Sequence, residues 1–137
     1  MVLDVRPLTE EDYDNILVGW WKDWKWEPPQ KDFLPGDGTG GIMVLDSGNP
    51  ICAGFLYVTN SKVCWVDWII SNRQYRDKEK RKHAIRLLID TLTNIGVDTG
   101  NKYAYALIKH KSLISVYEEF GYTKGDSYTS EMIKVLQ

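Results

Sequence analysis

Between Arg73 and Arg86 the chain carries seven basic residues (Arg73, Arg76, Lys78, Lys80, Arg81, Lys82 and Arg86) against only Asp77 and Glu79, a local excess of five positive charges in a chain of net charge −2. The apolar spacing that follows, Ala84, Leu87, Leu88, Thr91, Leu92 and Ile95, sets this patch at the start of a helix. Cations there oppose the macrodipole at roughly 0.3–1 kcal/mol each, whereas a phosphate-bearing ligand is attracted by free N–H groups and side-chain charge together. The plain alternative is a solvated basic face capped by Asp77 or Glu79. Asp67 is the acid of an otherwise apolar run, Cys64-Trp65-Val66-Asp67-Trp68-Ile69-Ile70. A carboxylate held among tryptophans has its pKa raised toward the range of a general base, unless an outward position solvates it. His110 is a second candidate base, against the alternative of a hydrogen-bonded structural histidine. Of the tryptophans before the Pro/Gly-rich stretch, Trp20 and Trp24 fall on a helical stripe and are expected in the core, while Trp21 and Trp26 fall off it and are expected on a pocket wall or partner surface.

The frame for these groups is small. At 137 residues the chain is the size of one domain, residues 1–137, built around a single core. Hydrophobic residues are 43% and charged residues 26%, which sets aside disordered, collagen-like and coiled-coil readings. The slight net acidity removes the bulk attraction used by nucleic-acid and anionic-membrane binders, so neither partner is expected and an anion site has to be local. Cys52 and Cys64 lie in apolar runs and are expected as buried thiols. With only His83 and His110 beside them, and no CxxC or HxxxH spacing, neither a disulfide framework nor a metal is expected. The charged start MVLDVRPLTEED predicts no signal peptide, no apolar run approaches the roughly 18 residues of a membrane span, and the expected compartment is the cytoplasm.

The elements that must hold the candidate groups follow from period and punctuation. Residues 3–6 alternate as a strand. A helix then starts at Thr9, with Asp12 completing an approximate capping box. Residues 27–41 hold four glycines and three prolines and read as a surface loop with one helical turn near 31–34. Strands at 42–45, 51–59 and 63–71 form an antiparallel meander. A helix from about 77 to 94, ended by Gly96, leads to a strand at 102–108, and a short helix at 111–120 is closed by Gly121. Two last strands, 122–124 and 131–136, flank the turn Gly125-Asp126-Ser127. The plan is mixed α/β: a central sheet with an antiparallel meander, a βαβ crossover and a C-terminal hairpin.

The run from His110 to Tyr122 resembles the C-terminal signature of the GNAT superfamily of N-acyltransferases, with Tyr117 at its tyrosine, Gly121-Tyr122 at its Gly-aromatic pair and His110 where asparagine is commonest. The order of elements is similar to the same fold over essentially the whole chain. The resemblance implies transfer of an acetyl group from acetyl-CoA to an amine of a small molecule or protein. It implies Tyr117 as the acid for the departing thiolate, with Asp67 or His110 as base, and the end of the 63–71 strand (Ile69, Ile70, Ser71) together with Ser112 as cofactor contacts. Counted back from Leu87-Leu88, the family's (Arg/Gln)-x-x-Gly-x-(Gly/Ala) loop falls on Glu79-Lys80-Arg81-Lys82-His83-Ala84. This makes Lys80, Arg81, Lys82, His83 and Ala84 the implied pyrophosphate contacts. Only Ala84 fits that pattern, and Lys82 stands at the glycine that brings backbone N–H groups close to a phosphate.

Two readings of function follow. The first is an acetyl-CoA-dependent N-acetyltransferase, with a homodimer left open. The second is a non-catalytic GNAT-like structural or interaction protein, since a short chain with an eroded loop is also similar to viral, phage-like members that serve as virion components.

Overall fold

The computed structural model describes residues 2–127 and 130–137. Five strands, β1 (Leu3–Pro7), β2 (Gly41–Asp46), β3 (Asn49–Val58), β4 (Val63–Ser71) and β5 (Tyr103–Tyr105), form one sheet in chain order. β1 to β4 pair antiparallel and β5 pairs parallel with β4. The β2–β3 turn rests on Ser47 and Gly48, both left-handed (φ 48° and 86°), between the paired Asp46 and Asn49. This backbone twist matches the strands it joins. Alternation along the strands sorts the side chains into two clusters. Val44, Cys52 and Val66 meet the long helix (Lys78–Asp98) through Ala84, Leu88, Ile89 and Leu92, while Met43, Ala53, Phe55 and Ile70 meet Leu17, Trp20 and Trp21 of the N-terminal helix. Cys52 and Cys64 are free, buried thiols. No helix among the described residues is long and apolar enough to cross a membrane.

The N-terminal helix starts as expected: the Asp12 carboxylate accepts the Thr9 N–H at 2.7 Å and a two-pronged contact from Arg6 at 2.7 and 2.9 Å. Its stripe departs from expectation because Tyr13–Leu17 is a π turn between the α segments Glu10–Asp12 and Val18–Asp23. A wider turn advances each residue by less than the about 100° of an α-helix, so the positions after it change phase. Trp21 therefore turns into the core at 2% exposure beside Trp20, and Trp24 leaves the stripe for the helix end. In the loop that follows, two 3-10 turns form, Lys31–Phe33 and Pro35–Gly38, with Leu34 buried between them.

Gly96 does not end the long helix. It sits inside it, where a Cβ would stand 2.8 Å from Cys64 Sγ, and the stop is Gly100 (φ 90°). Gly100 N–H bonds Val97 O and Asn101 N–H bonds Gly96 O, closing the Schellman pattern. The last helix (Lys111–Glu119) ends in the same way: Gly121 N–H bonds Glu118 O, and Tyr122 N–H bonds Tyr117 O. The expected hairpin beyond it is not built, and no strand occurs among the described residues after Gly121. Tyr122 is instead held as the residue after the cap, its ring edge-on to Tyr117 at 4.9 Å and its hydroxyl 2.8 Å from Thr93 Oγ1.

The feature that shapes the site is on β4. Phe55 pairs with Asp67 and Ala53 with Ile70, so Trp68 and Ile69 face the single residue Gly54. This bulge reverses the alternation, which is why Ile70, four residues after Val66, lies on the opposite face of the sheet. Trp68 takes φ 55° there, a left-handed value that is an outlier for a bulky residue. Gly54 makes room: a Cβ on it would meet Ile69 Cδ1 at 2.5 Å.

Candidate active site

β4 and β5 stay paired only from Val63↔Tyr103 to Trp65↔Tyr105. Beyond that point β4 runs on to Ser71, whereas the expected strand at 102–108 stops at Tyr105, so the two chains part. Side chains fill the opening. Tyr117, 2% exposed, donates its hydroxyl to Val66 O at 2.6 Å. Asp67 accepts the Leu107 N–H at 3.1 Å and the Trp68 N–H at 2.9 Å. The Leu107 N–H is therefore taken up by a carboxylate instead of a β4 carbonyl, which accounts for the short β5. At the far end the Trp24 indole N–H donates to Ser71 O at 2.8 Å.

The two titratable groups here are perturbed by the same cause. Burial raises the Asp67 carboxyl above its ordinary value, and the N–H groups of Leu107 and Trp68 offset that rise only in part. Burial, with the Asp67 charge adding to it, pushes the Tyr117 phenol far above its ordinary value. The sequence expectation of a raised carboxyl in this strand is met. Asp67 and Tyr117 are both brought to the place where β4 and β5 part.

His110 comes to the rim of the opening. It precedes the last helix, and its ring stacks on Trp26 (5.6 Å, 29°), which stacks in turn on Trp24 (5.7 Å, 20°). The Arg73 guanidinium lies 5.4 Å from the Trp24 ring. Ile70 is buried toward the N-terminal helix, Ile69 packs on the long-helix side, Ser71 is half-buried and Ser112 is exposed in the first turn of the last helix.

The basic patch is largely tied down. Lys80 reaches Asp46 at 3.4 Å, whose other partner is the Tyr75 hydroxyl at 2.7 Å. Arg81 turns inward onto Tyr75 O and Arg73 O, with its Nε buried and unpartnered among the described residues. Arg73 donates to Asp23 O at 2.8 Å, and Arg86 pairs with Glu119 at 2.8 Å. Arg76, Lys78, Lys82 and His83 are exposed. Because the helix starts at Lys78, residues 79–84 form its first two turns and not a loop, and Ala84 faces the core. The N–H groups without intrahelical carbonyls lie at the start of this first turn, and the Asp77 carboxylate takes that of Lys80 at 3.1 Å.

Three contributors were missed at the sequence level: the Leu107 N–H, the bulge at Trp68 and the Trp24 contact to Ser71. The first is a backbone group that any residue type supplies. The second has one trace, Gly54 in a strand interior, where a glycine marks a bulge or close approach.

Neither a family model nor a curated protein matches the sequence. Solved structures do match. A protein of Thermus thermophilus superposes with TM-score 0.68 at 19% identity, over 98% of this chain and 99% of that one. The glucosamine-6-phosphate N-acetyltransferase of Arabidopsis thaliana gives 0.66 at 10% identity, over 98% and 100%. The aminoglycoside N-acetyltransferase AAC(6')-Iy, solved with a CoA-S-monomethyl-acetylneamine bisubstrate analog, gives 0.65 at 14% identity, over 98% and 100%. At these identities the likeness is one of fold, and together with the Tyr117 and Gly121-Tyr122 signature it assigns the chain the fold of the GNAT acetyltransferases.

Proposed function

We propose that the chain is an acyl-CoA-dependent N-acyltransferase that carries an acetyl group from acetyl-CoA to an amine of a small molecule or protein. The observation that carries this reading is the opening beyond Trp65 and Tyr105, with a carboxyl of raised pKa on one side and a phenol on the other. An extended amide-bearing arm pairs with parting strands as a further strand would, and its entry requires the Asp67 contact to the Leu107 N–H to give way. The amine nitrogen attacks the thioester carbonyl, the C–S bond breaks, and sulfur leaves as a thiolate. Asp67 takes the proton that the nitrogen sheds. Tyr117 is the acid for the thiolate: its hydroxyl turns from Val66 O, the proton passes from Tyr117 Oη to sulfur, and the phenoxide regains a proton from the Asp67 carboxyl that took one from nitrogen. His110 is left a positioning part, since its ring is stacked on Trp26. At the pyrophosphate end, Asp77 and Arg81 fill the helix start, so the exposed Arg76, Lys78 and Lys82 hold the phosphates by side-chain charge. Such a donor implies the cytoplasm. The outer edge of β5 is the surface for the homodimer this reading includes.

The test is acetyl-CoA in thermal denaturation followed by turnover. Ligand at a hundred times its Kd stabilises by about 2.7 kcal/mol. Asp67→Asn is expected to lower kcat by roughly 10²–10⁴-fold, the usual worth of a general base. No thermal shift at millimolar acetyl-CoA selects the second reading, a non-catalytic structural or interaction protein. The self-capped start of the long helix is the observation that favours it.

A further inference from the structure

Two strands that part leave a gap at their far ends, and here that gap is bridged. Trp24 is anchored to Ser71 O, the end of β4, and His110 belongs to the chain that follows β5. Between them stands the Trp26 ring, in contact with both. The column thus links the end of β4 to the chain that follows β5, the two segments that part at Asp67 and Leu107. Trp26 reaches this place through a backbone outlier. The N-terminal helix closes with Lys25 N–H on Lys22 O and Trp26 N–H on Trp21 O, the Schellman pattern of the other two helices. Those helices put Gly100 and Gly121 at the left-handed position, whereas here it is Lys25, at φ 64°. A left-handed lysine is a strained choice for a helix end, and it aims the next residue back across Trp24. Trp26 is nonetheless 40% exposed, and on its far side it is fastened by the His110 face.

We infer that Trp26 is a gate across the β4–β5 opening, closed on His110 in the free protein and displaced when the thioester arm enters. The inference rests on the acyltransferase reading and adds to it the residue that controls admission. Opening breaks the Trp26–His110 contact and leaves Trp24 on Ser71. An aromatic contact of this kind biases an equilibrium by roughly two- to twelvefold, and a binding-competent state populated at that fraction weakens the apparent affinity by the same factor.

The experiment compares the wild-type chain with Trp26→Ala and Trp26→Phe, using acetyl-CoA as the probe in isothermal titration and stopped-flow association. Trp26→Ala is expected to bind with an apparent Kd lower by roughly two- to twelvefold and a faster association rate. Trp26→Phe, which keeps a stacked ring, is expected to stay near wild type. Equal constants in wild type and Trp26→Ala overturn the gate and leave the acyltransferase reading standing. No binding by either protein removes that reading and the gate with it. Because Trp26 is outside both buried clusters, the alanine variant is expected to fold, which its circular dichroism checks.

Discussion

Tyr117 and Asp67 are drawn to one opening by different forces. Tyr117 is placed by packing, as the inward residue of the last helix, and its hydroxyl then finds a carbonyl of β4 just past the end of its pairing with β5. Asp67 is placed by the register of β4, and two backbone N–H groups offset the cost of its burial. Burial and the Asp67 charge hold the phenol's pKa above its ordinary value. Tyr117→Phe leaves the Val66 carbonyl buried and unsatisfied, at a cost of about 1–3 kcal/mol, so Tm is expected to fall by several degrees. If the proposed acyltransfer is its activity, kcat is expected to fall by roughly 10²–10⁴-fold besides, the worth of general-acid catalysis, measured well below Tm. The raised Asp67 carboxyl has a pH consequence: kcat/KM is expected to drop on the acid side at a pH above the ordinary carboxylate value of about 3.9. Asp12 behaves oppositely. The Arg6 fork holds its carboxyl below the ordinary range, so its contribution is fully present above about pH 4 and is lost as pH falls through the depressed native value. Wild type and Asp12→Asn are accordingly expected to differ in Tm at pH 7 and to converge in strong acid. Asp67 was legible in the sequence because a lone acid in an apolar strand is conspicuous. Its partner, the Leu107 N–H, was not, because a backbone donor is the same at every residue.

Helix ends set the positions of three residues: Trp26, Asn101 and Tyr122 each follow a left-handed residue. At Gly121 that role explains the spacing of the signature without reference to chemistry, since the glycine permits the turn and Tyr122 then packs on Tyr117. Gly121→Ala is expected to cost about 1 kcal/mol, with the space around its Cβ open and the strain purely in φ. Lys25→Gly inverts the usual sign. In a helix interior the change would cost about 1 kcal/mol, but at φ 64° it relieves strain and is expected to be neutral or stabilising by up to about 1 kcal/mol in urea denaturation. The starts and types of the main elements were legible because caps, turn residues and period agree. The phase of the N-terminal helix was not: a stripe read at 3.6 residues per turn carries no mark of the π turn at Tyr13–Leu17, and so left Trp21 out of the core in which it is buried, while Trp24 is half-buried against the same cluster. Gly96 misled for a related reason, because a glycine that stops a helix and one that lets it approach Cys64 look alike in sequence.

Across the whole molecule, the sheet is covered on both faces, and among the described residues no strand pairs with the outer edge of β5. Tyr103 and Leu107 are 59% and 52% exposed, and in the same chain Met132, Ile133, Val135 and Leu136 are exposed at 64–89%. An unpaired edge with apolar side chains is a template for another strand, and residues 131–136 carry four exposed apolar side chains. The expected hairpin was a sound reading of the pattern. It fails in this structure because Tyr122 is committed to the helix end, and a strand of three residues at the edge offers little ladder to join. Residues 130–137 contribute to neither buried cluster. Deleting them is therefore expected to leave Tm within about 2 °C, since less than about 0.5 kcal/mol of stability rests on surface positions of this kind. Self-association should respond instead. Apolar residues on an open edge and on an unpaired strand-like segment of the same chain favour two copies that cover each other, which a closed two-fold arrangement allows. Sedimentation velocity of the full chain is expected to show association that rises with concentration and weakens on deletion of residues 130–137. A drop of several degrees in Tm, with association unchanged, would assign the segment to the support of its own sheet.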